Sequence, residues 1–293
     1  MANIFGQNFY LGEGDAVQLS YIAKTLQEKS YIRPGTTANP EISFPSAETI
    51  LYWVKAKASL NGKGIKGEGK IGTLGKDDAP TPGSPQAFAE KKLVRKAVSI
   101  DKTAQINGVI PGVNIATISA DVVNSYVVED VINSVNEMNR DYIDVLAKGE
   151  DSVAKAATQT WDAADVYESI LQLRAEFIEK NKFYGLVPTA MFVSPRVMAK
   201  LKKENLVLFK DNSPYGSFLD MEIIECVDLP EGVNAVMLHT SAMISGVAFN
   251  AVKTFDAAPL GYTDGVAYIG ELCYANKGTE FGEDYDVTVA LKF

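Results

Sequence analysis

The sequence has one histidine, two cysteines and no uninterrupted apolar run approaching 18 residues, and each scarcity closes off a class of function. His239 ends the apolar run Ala235-Val-Met-Leu-His239. One histidine cannot build a His-rich metal site, and no His-x-x-x-His pair exists. It could still serve a triad, but a packed histidine at a strand end is the simpler reading. Cys226 and Cys273 lie far apart with no C-x-x-C, which suits a reduced compartment and no disulfide framework. The N-terminus lacks a basic region followed by an apolar one, so neither a signal peptide nor a membrane span is expected. The sequence reads as a soluble protein made in a cytoplasm.

Basic residues are also in short supply. Lys plus Arg number 28 against 37 Asp plus Glu, for a net charge of −9. A uniformly acidic surface argues against a nucleic-acid-binding protein, which needs a basic face to neutralise phosphates. The charge is not uniform. From Trp53 to Lys102 eleven basic side chains face five acidic ones, a net +6, and the remainder of the chain sums to −15. Otherwise the 293 residues, 46% hydrophobic and 22% charged, have ordinary globular composition. They suffice for one large domain or two smaller ones.

The first 45 or so residues look like an arm. One short amphipathic stretch (Val17, Tyr21, Ile22, Thr25, Leu26) precedes Arg33 to Pro45, where three prolines in twelve positions favour extended chain. Thr49 to Leu60 alternates as a strand. Asn61 to Gly75 then holds six glycines in fifteen residues, a flexible tip, and a second strand is expected from about Phe88 to Ile106. Together they form a long, projecting, basic hairpin. From about Ala120 to Ala147 there is no Pro or Gly, and Val123, Val127, Val131, Val135, Met138, Tyr142 and Leu146 recur at spacings of four and three. That is a helix of roughly 40 Å at 1.5 Å per residue, with Ser119 or Asp121 able to cap its start and Lys148-Gly149 its stop. A second helix is expected from Asp162, burying Val166, Ile170, Leu173 and Phe177. Thr189 to Val193 reads as a buried strand, and Ser194-Pro195 as the start of a short helix through Met198 and Leu201. Met221 to Val227 and Ala235 to His239 read as strands, and Gly265 to Tyr274 with Val287 to Phe293 as a closing antiparallel pair.

The motifs that suggest chemistry fail on context. Gly62-Lys-Gly64-Ile-Lys-Gly67 fits G-x-G-x-x-G, and Gly64 to Lys70 nearly fits a phosphate-binding loop. Both need a helix N-terminus straight after the loop. Here Gly and Pro follow, and Ile71 stands where Ser or Thr is required. Asp77-Asp78 lies in the same loop with no second carboxylate cluster, and Glu283-Asp284-Tyr-Asp286 reads as a solvated turn. No G-x-S-x-G occurs. No catalytic, cofactor-binding or metal-binding residues are assigned, and no cofactor is implied.

The order of arm, Gly-tipped hairpin, long helix and α/β body resembles the major capsid proteins of tailed phages, with the Hong Kong 97-like fold, of α+β class. Lys92-Leu-Val-Arg-Lys-Ala-Val-Ser-Ile-Asp101 looks like the returning strand of that family's extended loop. Asp165 to Asn181 resembles the helix that opens its axial domain, and Met191 to Leu201 the strand and helix that follow. Leu260 to Leu272 is similar to the strand returning to its peripheral domain. The resemblance implies an arm over 1–47, an extended β-hairpin over 48–106, and a peripheral domain with the spine helix over 107–160. An axial domain over 161–258 and return strands over 259–293 complete it. It further implies hexamers and pentamers in an icosahedral shell enclosing double-stranded DNA, held by Lys63, Lys66, Lys70, Lys91, Lys92, Arg95 and Lys96 of the hairpin lying on acidic neighbours. Scaffolding, portal and decoration proteins would be partners, DNA contacts would be weak, and the product would be a virion component rather than an enzyme.

Some members of that family seal their shells with a Lys–Asn isopeptide bond. Here Lys63, Lys66 or Lys70 could be the loop lysine, with Lys66 put forward, and Asn276 the acceptor, although the local sequence does not follow that pattern closely. The chain lacks the long N-terminal scaffolding segment of some members, so it is either numbered as a mature form or assembled by a separate scaffolding protein. Two other readings stand beside this one: an encapsulin-type nanocompartment shell, and a cytoplasmic α/β enzyme using His239.

Overall fold

A computed structural model of the chain describes residues 3–4, 7–11, 25, 28–31, 41–42, 49–55, 93–112, 120–148, 154–156, 162, 164–181, 186–209, 216–239, 243–262, 264–278 and 290–292. Its longer helices are α1 (Ala120–Lys148), α2 (Val166–Lys180) and α3 (Pro195–Lys203). The strands fall into three sheets.

The largest sheet takes all its strands from the second half of the chain. These are β7 (Ala154–Ala156), β8 (Ala190–Val193), β9 (Leu208–Phe209), β10 (Gly216–Phe218), β11 (Met221–Glu225), β12 (Ala235–Leu238) and β15 (Ala290–Lys292), in the order β7-β15-β12-β8-β11-β10-β9. At its centre β8 runs parallel to β11 and antiparallel to β12, with α3 in the crossover between the parallel pair. All four residues of β8 and of β12 are buried, as expected of a sheet covered on both faces. The alternation divides the covers. Ala190, Phe192, Val236 and Leu238 join the core built on α1, whereas Met191, Val193, Ala235 and Met237 join the one built on α2 and α3.

The second sheet has the order β1-β2-β13-β14-β6, from β1 (Asn3–Ile4), β2 (Gln7–Leu11), β13 (Met243–Asp256), β14 (Gly265–Gly278) and β6 (Lys102–Pro111). Its centre is the pair β13 and β14, 14 residues each, whose register slips between Asn250 and Lys253 at a bulge. One face is packed by α1, which lies between the two sheets and contributes to a single core with both. A third sheet, β3 (Glu41–Ile42), β4 (Thr49–Lys55) and β5 (Leu93–Ser99), is the hairpin stem.

The seven apolar positions of α1 expected from its periodicity are all buried, as are the four of α2. The start of α2 is Val166 rather than Asp162. Asp165 is the residue whose carboxylate accepts from the Glu168 N–H (3.0 Å), so it supplies the N-cap that stops the helix reaching further back. Ser194 does occupy the N-cap of α3, followed by Pro195, but its hydroxyl makes no capping bond. The capping residues expected for α1 lie outside the described side chains.

Three strand expectations change. The single strand from Phe88 to Ile106 is two: β5 pairs with β4, and after Ile100-Asp101 the chain enters a different sheet as β6. The closing pair of Gly265–Tyr274 and Val287–Phe293 does not form. β14 pairs with β13 and β6, while β15 crosses to the other sheet between β12 and β7. Finally, β13 lies where no element was expected. A bulge breaks its alternation, so a two-residue period does not run through it.

Candidate intersubunit surface

Of the basic hairpin residues, Lys63, Lys66, Lys70, Lys91 and Lys92 lie outside the described residues. Arg95 and Lys96 fall on β5, opposite Trp53 and Tyr52 of β4 in register. The base of the stem is anchored: buried Val98, with Ile100 against it, packs on Ile244 and Ala275. In β14, Tyr274 and Asn276 point towards α1 and Ala275 away from it. The hairpin therefore departs from the face of the five-stranded sheet opposite α1.

On the α1 face, side chains tie the helix to β6 and β14 at two levels. At one level Tyr268 of β14 lies across Gly108 of β6, opposite it in register, and its hydroxyl donates to Asp130 Oδ2 (2.6 Å). A Cβ at position 108 would stand 2.4 Å from the Tyr268 hydroxyl oxygen, so glycine is required by the ring. Burial, the bond to Asp130 and the nearby Glu129 push the Tyr268 phenol above its ordinary range. At the other level, Lys102 pairs with Asp141 Oδ1. Asp141 Oδ2 accepts from Asn276 Nδ2 (3.0 Å), which also donates to the Met138 carbonyl (3.1 Å). Ser245 completes the set by donating to Asn276 Oδ1 (2.8 Å). Asn276 is buried, with its carboxamide engaged on both ends. Tyr274 sits beside it; burial first, and then Asp141, Glu137 and Asp101, push its phenol up to about 12.

These two levels fix direction. Asp130 lies over Gly108 and Asp141 over Lys102, so α1 runs antiparallel to β6. Its flank above that strand carries Tyr126, Glu129, Asp130, Glu137 and Asp141, whose spacings of three, four, seven and eleven from one another keep them on one side of the helix. Tyr126, 47% exposed, and the exposed Glu129 and Glu137 are its outward members.

Residues 29–31 are held by α1 as well. Asn139, itself buried, accepts from the Tyr31 N–H (2.8 Å) and donates to the Lys29 carbonyl (2.7 Å). The Tyr31 ring meets Phe192 edge-on at 5.3 Å. None of this is legible in the sequence, because one Asn among the four of α1 carries no signal of what its amide will bind.

Among the described residues, His, Cys and metal-ligating groups for chemistry do not converge. His239 follows β12, half-buried, and burial lowers its pKa. Cys226 is buried with its thiol pushed up by desolvation, and Cys273 belongs to the other sheet. Among the described residues no three His, Cys, Asp or Glu side chains gather as metal ligands, and no helix is long and apolar enough to cross a membrane. A cavity of about 280 Å³ lies between residues 28–31, α1 and β11. Two of its lining charges, Lys202 and Glu225, pair with each other at 3.4 Å.

Neither a protein-family model nor a curated protein sequence matches the chain. Solved structures do. The mature capsid of bacteriophage PhiM1 aligns over 90% of this chain and 86% of its own, with TM-score 0.51 and 13% identity. The capsid of cyanophage P-SCSP1u aligns over 88% and 85%, with TM-score 0.52 and 11% identity. The chain has the fold of phage capsid proteins. A virus-like particle from Pyrococcus furiosus aligns over 94% of this chain and 96% of its own, with TM-score 0.53 and 11% identity.

Proposed function

We propose that the chain is a major capsid protein that self-assembles into the icosahedral head enclosing the double-stranded DNA genome of a tailed phage. The observation that carries this reading is the match over 90% of the chain to a mature phage capsid. It is supported by a hairpin stem set on a sheet face away from the body's core. In this reading residues 1–47 are the arm, 48–106 the extended loop, 107–160 and 259–293 the peripheral domain, and 161–258 the axial domain at the centre of hexamers and pentamers. Its partners are further copies of itself, with scaffolding, portal and decoration proteins. The net charge of −9 keeps contacts with packaged DNA weak, so the wall does not trap the genome. The subunit is made in the host bacterial cytoplasm, resides in the virion and performs no catalysis.

Electron microscopy of particles purified from cells making the chain with its scaffolding partner tests the reading. Closed shells that protect genome-length DNA from nuclease are expected; a protein monomeric under every assembly condition overturns it. The virus-like particle from Pyrococcus furiosus favours a second reading, an encapsulin-type shell, which would give small uniform cages without a genome. A cytoplasmic enzyme would give no cages and a pocket at His239. A Lys66–Asn276 cross-link would require Asn276 to leave its bonds to Asp141 and Ser245. Boiling the shell in detergent decides that point: a ladder of linked subunits supports the link, and a single 31.7 kDa band removes it.

A further inference from the structure

The network beneath α1 brings an amine, a carboxylate and a carboxamide together within one chain. Asn276 stands on β14, with Ser245 of β13 opposite it in register on one side. On the other side β6 begins at Lys102, opposite Tyr274 and so diagonal to Asn276. Diagonal neighbours lie about 7–8 Å apart, a gap that a lysine side chain spans. Asp141 reaches down from α1 between the two. One of its carboxylate oxygens takes the Lys102 ammonium, and the other accepts from Asn276 Nδ2 (3.0 Å). The carboxamide oxygen of Asn276 accepts in turn from Ser245 Oγ (2.8 Å).

An ion pair needs neither a carboxamide on its second oxygen nor a hydroxyl on that carboxamide. Amide exchange uses both. Ser245 polarises the carbonyl and is placed to hold the charge that develops on its oxygen when a nucleophile adds. Asp141 touches the nitrogen that would attack and the nitrogen that would leave, so one carboxylate serves both proton transfers. Asn276 is 7% exposed and the Asp141 side chain 19%, which limits competition from water. The Lys102 side chain, 40% exposed, borders solvent and leaves ammonia a way out.

We propose that Lys102 and Asn276 join in an isopeptide bond within a single subunit, with Asp141 as the proton carrier. The Lys102 ammonium passes a proton to Asp141, and the freed lone pair on Nζ attacks Cγ of Asn276. Asp141 delivers that proton to Nδ2, and the Cγ–Nδ2 bond breaks. The carboxylate then takes the second proton from Nζ, and the released ammonia carries it off as ammonium. One lysine ammonium and one carboxamide become one secondary amide and one ammonium ion, so atoms and charge balance with no further reactant. The bond ties β6 to β14 where the hairpin stem ends. It needs no neighbouring subunit and no loop lysine, and by consuming Asn276 it excludes a Lys66 link to that residue. The inference is independent of the shell reading.

Intact mass spectrometry of dissociated, denatured wild-type subunits tests it. The expected mass is one ammonia below that of the sequence, in a chain that still runs as a monomer. Fragmentation of a digest should show a branched peptide joining Lys102 to Asn276. Lys102→Arg keeps the positive charge but offers no lone pair for attack, and it is expected to restore the full mass, as is Asp141→Asn. Circular dichroism checks that each variant folds, and the wild-type measurement needs neither. A wild-type subunit of full mass after prolonged incubation in the folded state overturns the proposal. So does an ammonia loss that persists in Lys102→Arg, as a cyclised asparagine elsewhere would give, or a branch through another pair. Each outcome is read on the isolated subunit, whether or not shells assemble.

Discussion

The two large sheets of this molecule share α1 but are finished to different degrees. In the seven-stranded sheet, β8 and β12 are buried at every residue and helices or core residues cover both faces. In the five-stranded sheet, α1 covers one face, while on the other Ile269 is 48% and Phe255 36% exposed. Its edge strand β6 has exposed alternate residues. A face left open to this extent is unusual unless something else covers it. The first sheet is a self-sufficient core; in the shell we propose, other copies complete the second.

Substitutions in each sheet should break the chain in different ways. The largest effect belongs to the closed sheet. Phe192, fully buried between Tyr31 and Tyr142, is expected to cost about 3–5 kcal/mol of stability as Phe192→Ala, read as subunits that unfold early in denaturant. Next is Gly108→Ala in the open sheet. The new methyl displaces the Tyr268 ring and breaks its bond to Asp130, for a loss of about 1–3 kcal/mol. Tyr268→Ala in the same background should recover part of that loss, which a double-mutant cycle measures.

Asn276→Ala strips partners from buried Ser245 and from Asp141. A loss of about 1–3 kcal/mol in chemical denaturation is expected. The Asp165→Ala variant removes only the cap of α2, a loss of about 1 kcal/mol. Smallest are the pH effects. Burial lowers the His239 pKa, so the unfolded chain takes up a proton that the folded one refuses, and stability should fall as pH drops through 6.5. The Tyr274 phenol stays protonated to about 12 in the fold but ionises near 10.0 when unfolded, so stability should also fall between those values. Melting temperatures across pH 5–11 read both arms, and His239→Gln should flatten the acid one.

The same contrast explains what could be read from the sequence. Elements of the closed sheet announce themselves: β8 is a short apolar run, α3 begins at Ser194-Pro195, and α2 repeats its apolar residues with helical spacing. The α1 spine is legible because burial between two sheets demands an unbroken stripe from Val123 to Leu146. The open sheet hides. β13 carries a bulge and a mixed face, so its alternation fails. β6 looks like a continuation of β5 because nothing in Ile100-Asp101 signals a change of sheet. β15, three residues long, takes its partners from strands more than 50 residues away. The exposed flank of α1 was not legible: only the fold shows that Tyr126, Glu129 and Glu137 share one side of the helix above β6 and β14.

Hydrogen exchange compared between dissociated subunits and assembled shells tests the division of labour most directly. Assembly is expected to slow exchange in β6, from Lys102 to Pro111, while β8 and β12 keep the slow exchange they already have in the free subunit. Equal protection of β6 in both states, or a gain confined to the seven-stranded sheet, would contradict the claim that other copies complete the open sheet.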